Sequence, residues 1–316
     1  MFLVAGASSL TGRQVVMKLL RESRPVRVLV RKDSDAEHFA ALGADVVKGD
    51  IRDQDALRRA CHQVEVVISL VGRHFAATEA GFREVDLQGN ENLARAAYEN
   101  QAKHYILISA LWADHDPGPI IFGVKREAEE AVIQSGLSYT ILRPCTFAEG
   151  ANSLIGIVGP TIERWGLALI PSPDSKPVSF ITITDLADAI VQLASNPTPY
   201  KNQILELGGP QSLTLGAGAT RIAELLGRKL RVVRLPRSVL SMLRTIAKVL
   251  GFGPYEAVLF LEMLRDHGFF CDATPLRELL GHEPQSIDEV LKEYYRQNKR
   301  TPWRDSIYGT LLMRSK

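Results

Sequence analysis

Apolar residues recur along the chain in two alternating patterns. Short, nearly continuous hydrophobic runs at 2–5, 26–30, 44–47, 64–70, 105–108 and 137–142 read as strands covered on both faces. Between them, apolar residues recur at helical spacing over 10–20, 36–42, 54–61, 82–98 and 121–135. Val15, Val16, Leu19 and Leu20 share one face of the first helix; Asp53 stands where an N-cap belongs, and Gly136 where a helix C-cap belongs. Six strands alternating with five helices over short connections predict an α/β fold with a doubly wound parallel sheet of the Rossmann kind.

After Pro144 the alternation breaks. The Gly- and Pro-rich stretch 150–174 reads as loops with a short helix. Strands are expected at 178–183, 204–207 and 230–233, with helices opened by Asp185 (186–194) and around 220–226, and a mostly helical remainder. The expected organisation is a dinucleotide-binding core over 1–145, a smaller, mostly helical C-terminal lobe over 146–300 with strands returning to the core sheet, and a tail over 301–316.

Composition changes this picture little. The chain has 316 residues, 46% hydrophobic and 23% charged, within the ordinary soluble globular range. A formal net charge of +2 excludes bulk electrostatic capture of nucleic acid, which needs a concentrated basic face. Cys61, Cys145 and Cys271 are scattered and odd in number, so free thiols in a reducing compartment are expected, with no disulfide framework and no metal site. Met1 leads straight into an apolar strand without a basic, cleavable leader, and no apolar run reaches the ~20 residues of a membrane span. A cytoplasmic location is the expectation.

Chemistry enters at Gly6-Ala7-Ser8-Ser9-Leu10-Thr11-Gly12, which follows the first strand and opens the first helix. Gly6 suits a tight turn and Gly12 a close helix–strand approach, so that free N–H groups and the positive helix end face a pyrophosphate. The second strand ends Val30-Arg31-Lys32, where an NAD-binding site would carry an acid for the ribose 2′-hydroxyl. Two cations there favour the 2′-phosphate of NADP, with Arg13 a candidate third; Asp33, one residue on, keeps NAD open.

The glycine loop, the segment Val47-Lys48-Gly49-Asp50-Ile51-Arg52-Asp53, the segment Val85-Asp86-Leu87-Gln88-Gly89-Asn90, the run Thr140-Ile141-Leu142-Arg143-Pro144 and Gly208-Gly209-Pro210 together resemble the atypical, extended short-chain dehydrogenase/reductases. Within them the chain is similar to the NmrA-like group and to the nucleotide-binding accessory subunits of respiratory complex I and their bacterial relatives. Those proteins have a third glycine where this chain has Ser9, whose side chain would either crowd the pyrophosphate or donate a hydrogen bond to it. The resemblance implies that Asp50 faces the adenine, with Ile51 beside it and Leu70 and Val71 lining the cofactor. It also implies catalytic places for a Ser, a Tyr and a Lys, in which Tyr exchanges the proton and Lys holds the ribose. Here Ser109 and Lys125 fill the first and last, but the tyrosine place is Ile121, and no Tyr lies between Tyr105 and Tyr139.

Two readings follow: a reductase of a hydrophobic carbonyl, enone or quinone that takes its proton from elsewhere, or a non-enzymatic NADP(H)-binding subunit, assembly factor or redox sensor. A sugar-nucleotide epimerase is disfavoured because it needs the missing tyrosine. His74 and His115 are candidate replacement acids, although loop histidines are more often solvated. Cys145 reads as a small buried thiol. From Leu225 to Tyr255 there are seven Arg or Lys and no acid, with Val239, Met242, Leu243, Ile246 and Val249 at helical spacing. Segment 236–265 therefore either packs on the lobe or contacts an anionic membrane or a protein partner. The tail 301–316, with Trp303, Tyr308 and Leu311 among basic residues, either folds back or serves as a contact arm.

Overall fold

The computed structural model describes residues 1–73, 78–115, 118–150 and 153–296. Its centre is a seven-stranded, all-parallel sheet of strands β1 (Phe2–Ala5), β2 (Val26–Val30), β3 (Asp45–Lys48), β4 (Val66–Ser69), β5 (His104–Ile108), β6 (Tyr139–Pro144) and β10 (Gln203–Leu207). The spatial order β10-β6-β5-β4-β1-β2-β3 reverses direction at β1 and β4, the switch point at which open α/β sheets bind ligands.

The strands are apolar throughout because alternate residues serve two cores. Val4, Val28, Ile68, Ile106 and Leu142 point to one face, and Leu3, Leu29, Val67, Tyr105 and Ile141 to the other. The first face is covered by α1 (Leu10–Arg21) and α8 (Ile183–Ser195). The second is covered by α3 (Gln54–Cys61), α5 (Gln88–Glu99) and α6 (Ile120–Gln134). Each fully buried Leu, Ile or Val contributes about 1.5–3 kcal/mol. Asp53 caps α3 as expected, its carboxylate accepting from the N–H groups of Asp55 and Ala56. Gly136 ends α6 at φ +82°.

The remaining elements of the first segment are α2 (Asp33–Ala41) and α4 (Glu79–Phe82), the latter running into α5 through a π-helical turn at Arg83–Leu87. Beyond β6 come β7 (Thr146–Phe147), α7 (Leu154–Trp165), β8 (Leu167–Pro171), β9 (Val178–Ile181), β11 (Ser212–Leu213), α9 (Leu215–Leu225) and β12 (Arg231–Leu235). Helices α10 (Arg237–Leu250), α11 (Phe252–Asp266), α12 (Thr274–Leu280) and α13 (Ile287–Arg296) complete the described chain. β7, β9 and β11 form a small second sheet, and β8 pairs with β12.

The stretch 150–174, expected to be loops with a short helix, is more regular than that. A twelve-residue helix and a strand occupy most of that stretch despite Gly156, Gly159 and Pro160. Tertiary packing outweighs propensity here: every residue from Leu154 to Ile162 is buried, and Ser153 caps the helix by accepting from the Gly156 N–H. A Cβ on Gly159 would lie 3.1 Å from the Tyr295 hydroxyl, so the glycine admits α13. Two boundaries also differ. Thr182, three residues before Asp185, caps α8, and α9 begins at Leu215 behind the Thr214 cap, five residues before the expected start.

Candidate functional site

At the end of β1 the chain turns at Gly6, with φ +84°. A Cβ there would lie 2.6 Å from the Leu70 carbonyl oxygen, and one on Gly12 would lie 2.3 Å from the Gly6 carbonyl oxygen. Only glycine at both positions lets the loop lie flat between β1, β4 and the first turn of α1. Ala7, Thr11 and Gly12 are buried, while Ser8, Ser9 and Leu10 are exposed on the loop's outer side. Ser9 is the N-cap of α1, its Oγ accepting from the Gly12 N–H at 3.0 Å. The residue in the middle-glycine place therefore builds the helix start, and its hydroxyl proton stays available to a ligand. No acid stands in the first turn of α1, so the positive helix end is not neutralised there.

At the end of β2, Arg31 is 67% exposed, with only a 3.9 Å approach to Asp50, and Lys32 is also exposed. Asp33, which would compete for a 2′-phosphate, is ion-paired to Lys48. Arg13, the candidate third cation, already has partners. It donates to Asp35 at 2.8 Å and to the Ser8 carbonyl at 3.3 Å, and lies over the Phe39 ring, so it braces the loop against α2. The Ser8 hydroxyl donates to the same carboxylate. Asp50 is forked by Arg52, which holds its carboxyl below the usual range. Ile51 is buried under Gly89, where a Cβ would meet it at 2.9 Å.

Leu70 and Val71 follow β4, with Leu70 against Gly6 and its N–H donating to the Ala5 carbonyl. Gly72 comes next, and a Cβ on it would lie 2.8 Å from Asp86 Oδ1 and 3.2 Å from Lys125 Nζ. Lys125 thus reaches from α6 to the end of β4, where its ammonium lies 3.3 Å from Asp86 Oδ1. Asp86 is 1% exposed, and its second oxygen accepts from the Arg73 N–H at 3.0 Å. The π-helical turn that carries Asp86 is a feature frequent at functional sites. Ser109 directly follows the adjacent β5 and is buried, and among the described residues its Oγ has no hydrogen-bond partner. The loop glycines, Ser109 and Lys125 are therefore gathered at the carboxyl edge of β1, β4 and β5.

Ile121 is half-buried and packs with Phe82, Val124 and Phe252, so an apolar wall stands where a tyrosine hydroxyl would. One residue before it, the N–H of Ile120 donates to Glu256 of α11 at 2.7 Å. Burial, helped by Glu79, pushes the Glu256 carboxyl up to about 7. Nothing in the sequence points to this contact, which joins positions 136 apart. Asp86 lay within a segment read only for its resemblance. His115 is exposed and stacks on Trp112 at 4.0 Å, with His267 edge-on to the same indole at 5.5 Å. Trp112 itself has φ +71°, a strained conformation for a bulky residue. His74 and the tail 301–316 lie outside the described residues. Cys145 is a free, buried thiol whose burial beside Cys271 raises its pKa, which disfavours the nucleophilic thiolate.

Arg143 of β6 is structural. It is 4% exposed and makes two hydrogen bonds to the fully buried Glu129 of α6, at 2.9 and 2.7 Å, and one to Asp114 at 2.7 Å. One turn from Lys125, this pair fixes how α6 presents its site face.

The chain belongs to the NAD(P)H-binding family, whose model matches residues 6–197. It is 24% identical over 303 residues to the photosystem II assembly factor Ycf39 of Synechocystis, covering 93% of this chain and 90% of that protein. It is 26% identical over 239 residues to the mitochondrial NADH dehydrogenase [ubiquinone] 1 alpha subcomplex subunit 9 of Arabidopsis thaliana, covering 74% of this chain and 60% of that protein. Among solved structures, the NADPH-dependent quinone oxidoreductase QOR2 of Escherichia coli in complex with NADPH superposes with a TM-score of 0.77 at 23% identity, covering 93% of this chain and all of that one. The residues present fit a dinucleotide. Gly6 and Gly12 let the loop pack closely against the end of β4 and the first turn of α1, which leaves the open helix end facing outward, and among the described residues the buried Ser109 hydroxyl has no partner.

Proposed function

We propose that the protein is an NADP(H)-dependent reductase of a hydrophobic, electron-poor acceptor, a quinone or an activated double bond. The observation that carries this reading is the pairing of Ser109 and Lys125 with Ile121. The site offers a buried hydroxyl and a cation but no side chain at the tyrosine place to deliver a proton. Reduction of a simple ketone would need that proton in the transition state. A quinone or enone spreads the negative charge over a conjugated anion that solvent can protonate afterwards. A nicotinamide held by the glycine loop and Lys125 would supply the hydride. Ser109 Oγ, without a partner among the described residues, would donate to the acceptor oxygen, Lys125 would hold the ribose, and Ile121 and Phe252, backed by the buried Phe82, would receive the acceptor's apolar body. Arg31 and Lys32 select the 2′-phosphate.

A second reading, a non-enzymatic NADP(H)-binding subunit, has its own support in the Lys125–Asp86 pair, which satisfies the lysine without any proton-transfer partner. NADPH oxidation followed with a panel of quinones, enones and simple ketones separates the two. Saturable turnover of quinones or enones and none of ketones is expected. Tight NADPH binding with no turnover of any acceptor would replace the reductase reading by the second.

A further inference from the structure

Helix α10 carries two neighbouring apolar stripes, and the body of the protein covers only one. Leu240 and Ala247 are buried, with Leu243 half-buried beside them. Around the helix, Met242, Ile246, Val249 and Leu250 are 55, 47, 87 and 52% exposed. Their spacing of four, three and one residues puts all four on one side. A helix that served only to cover the lobe would carry polar side chains there, so contiguous exposed apolar residues mark a contact surface.

The charge around the stripe identifies the contact. From Leu225 to Tyr255 the chain has no acidic residue. Arg237 and Arg244 are paired with Asp266 and Glu262 of α11, at 3.1 and 3.0 Å. Arg228, Lys229, Arg231, Arg234 and Lys248 are all exposed, and among the described residues no carboxylate stands within ion-pair distance of them. The first four lead into and along β12, whose Arg231 N–H donates to the Gly166 carbonyl at 2.8 Å. Exposed aliphatics and unpaired cations together are the composition of a surface that seats on lipid headgroups. Two copies meeting through this region would bring their unpaired cations together, which disfavours self-association.

We propose that α10 is a peripheral membrane-docking helix for anionic bilayers. Met242, Ile246, Val249 and Leu250 enter the headgroup–acyl boundary, and the unpaired cations that lead into and along β12 lie over anionic headgroups. No helix among the described residues is long and apolar enough to cross a membrane, so the contact is one of surface seating. The proposal does not depend on the reductase reading, because it is tested by partition alone.

The test is co-sedimentation of the full chain with vesicles of phosphatidylcholine, with and without about one-third phosphatidylglycerol, at low salt and at about 0.5 M salt. The expected result is pelleting with the anionic vesicles at low salt, little with phosphatidylcholine alone, and release at high salt. Ile246→Glu/Val249→Glu should lower the anionic partition at least about tenfold, with NADPH affinity and Tm unchanged because both side chains face solvent. Wild-type protein that stays in the supernatant at low salt would overturn the proposal. So would a double variant that pellets like wild type, which would reduce the effect to bulk charge. A wild-type dimer that the double variant dissociates, without vesicle binding, would make the stripe a subunit interface instead.

Discussion

Arg31 and Asp33 show how much single side chains decide at the adenosine end of the site. The strand end Val30-Arg31-Lys32-Asp33 offers both signs of charge, and sequence alone leaves the choice open. The structure biases it: Asp33 is engaged by Lys48, whereas Arg31 is mostly exposed. A charge-assisted contact to a phosphate contributes about 1.5–3 kcal/mol. Arg31→Ala should therefore weaken NADPH roughly tenfold to a hundredfold while leaving NADH almost unchanged. Calorimetric titration of both nucleotides against both proteins reads this directly. Equal losses for the two would mean that Arg31 serves the loop and not the phosphate. Other residues near this edge were legible to different degrees. Gly6 and Gly12 were readable because their backbone demands are local. Arg13 was not, because its partner Asp35 lies on another helix and sequence does not say which cation is already taken.

At the scale of elements, α6 matters most, because it carries both Ile121 and Lys125. Its setting is fixed at two points that no local pattern announces, the buried Arg143–Glu129 pair and the Glu256 carboxylate at its N-terminus. Glu256 gives this second contact a pH signature. Its carboxyl is raised to about 7 in the folded chain from an ordinary value of 4.5. Between those values the folded state holds a proton that the unfolded state has lost, so stability falls as pH rises through the window. Solvent still reaches the carboxyl, which limits the effect to about 1 kcal/mol, a Tm change of roughly 2–4 °C. His104 works in the opposite direction. Burial lowers its pKa to about 4, so its contribution is lost as pH falls from 6.5 toward 4, and the two partly cancel in wild type. The signature is therefore the difference between proteins. Glu256→Gln keeps an acceptor for the Ile120 N–H and should gain Tm on wild type between pH 5 and pH 8. A difference that does not change with pH would show that the carboxyl titrates normally. Helix α7 shows the limit of reading elements from sequence: its glycines and proline allow only a short helix among loops, and burial on every side, with Tyr295 lodged against Gly159, extends it to twelve residues.

The whole molecule raises the question of whether residues 1–145 and 146–300 are two units or one. The strand–helix alternation before Pro144 was plain in the sequence because period and turn chemistry are local. The second segment was harder to place, because its strands are distributed among three sheets. β10 forms an edge of the main sheet, and α8 covers the face that α1 covers. Buried residues from Val4 to Leu291 belong to one continuous hydrophobic core. A core shared in this way cannot lose one half and keep the other without exposing apolar surface on both. Thermal unfolding should therefore be a single transition, with far-ultraviolet dichroism and tryptophan fluorescence tracing one curve. Because NADPH binds the folded form, a concentration near 100 times its Kd should add about 2.7 kcal/mol and move both probes together. Two resolved transitions, with NADPH shifting only one, would mean that the second segment folds separately. Ligand binding at the β1–β4 switch point would then leave its stability, and the setting of α10, unchanged.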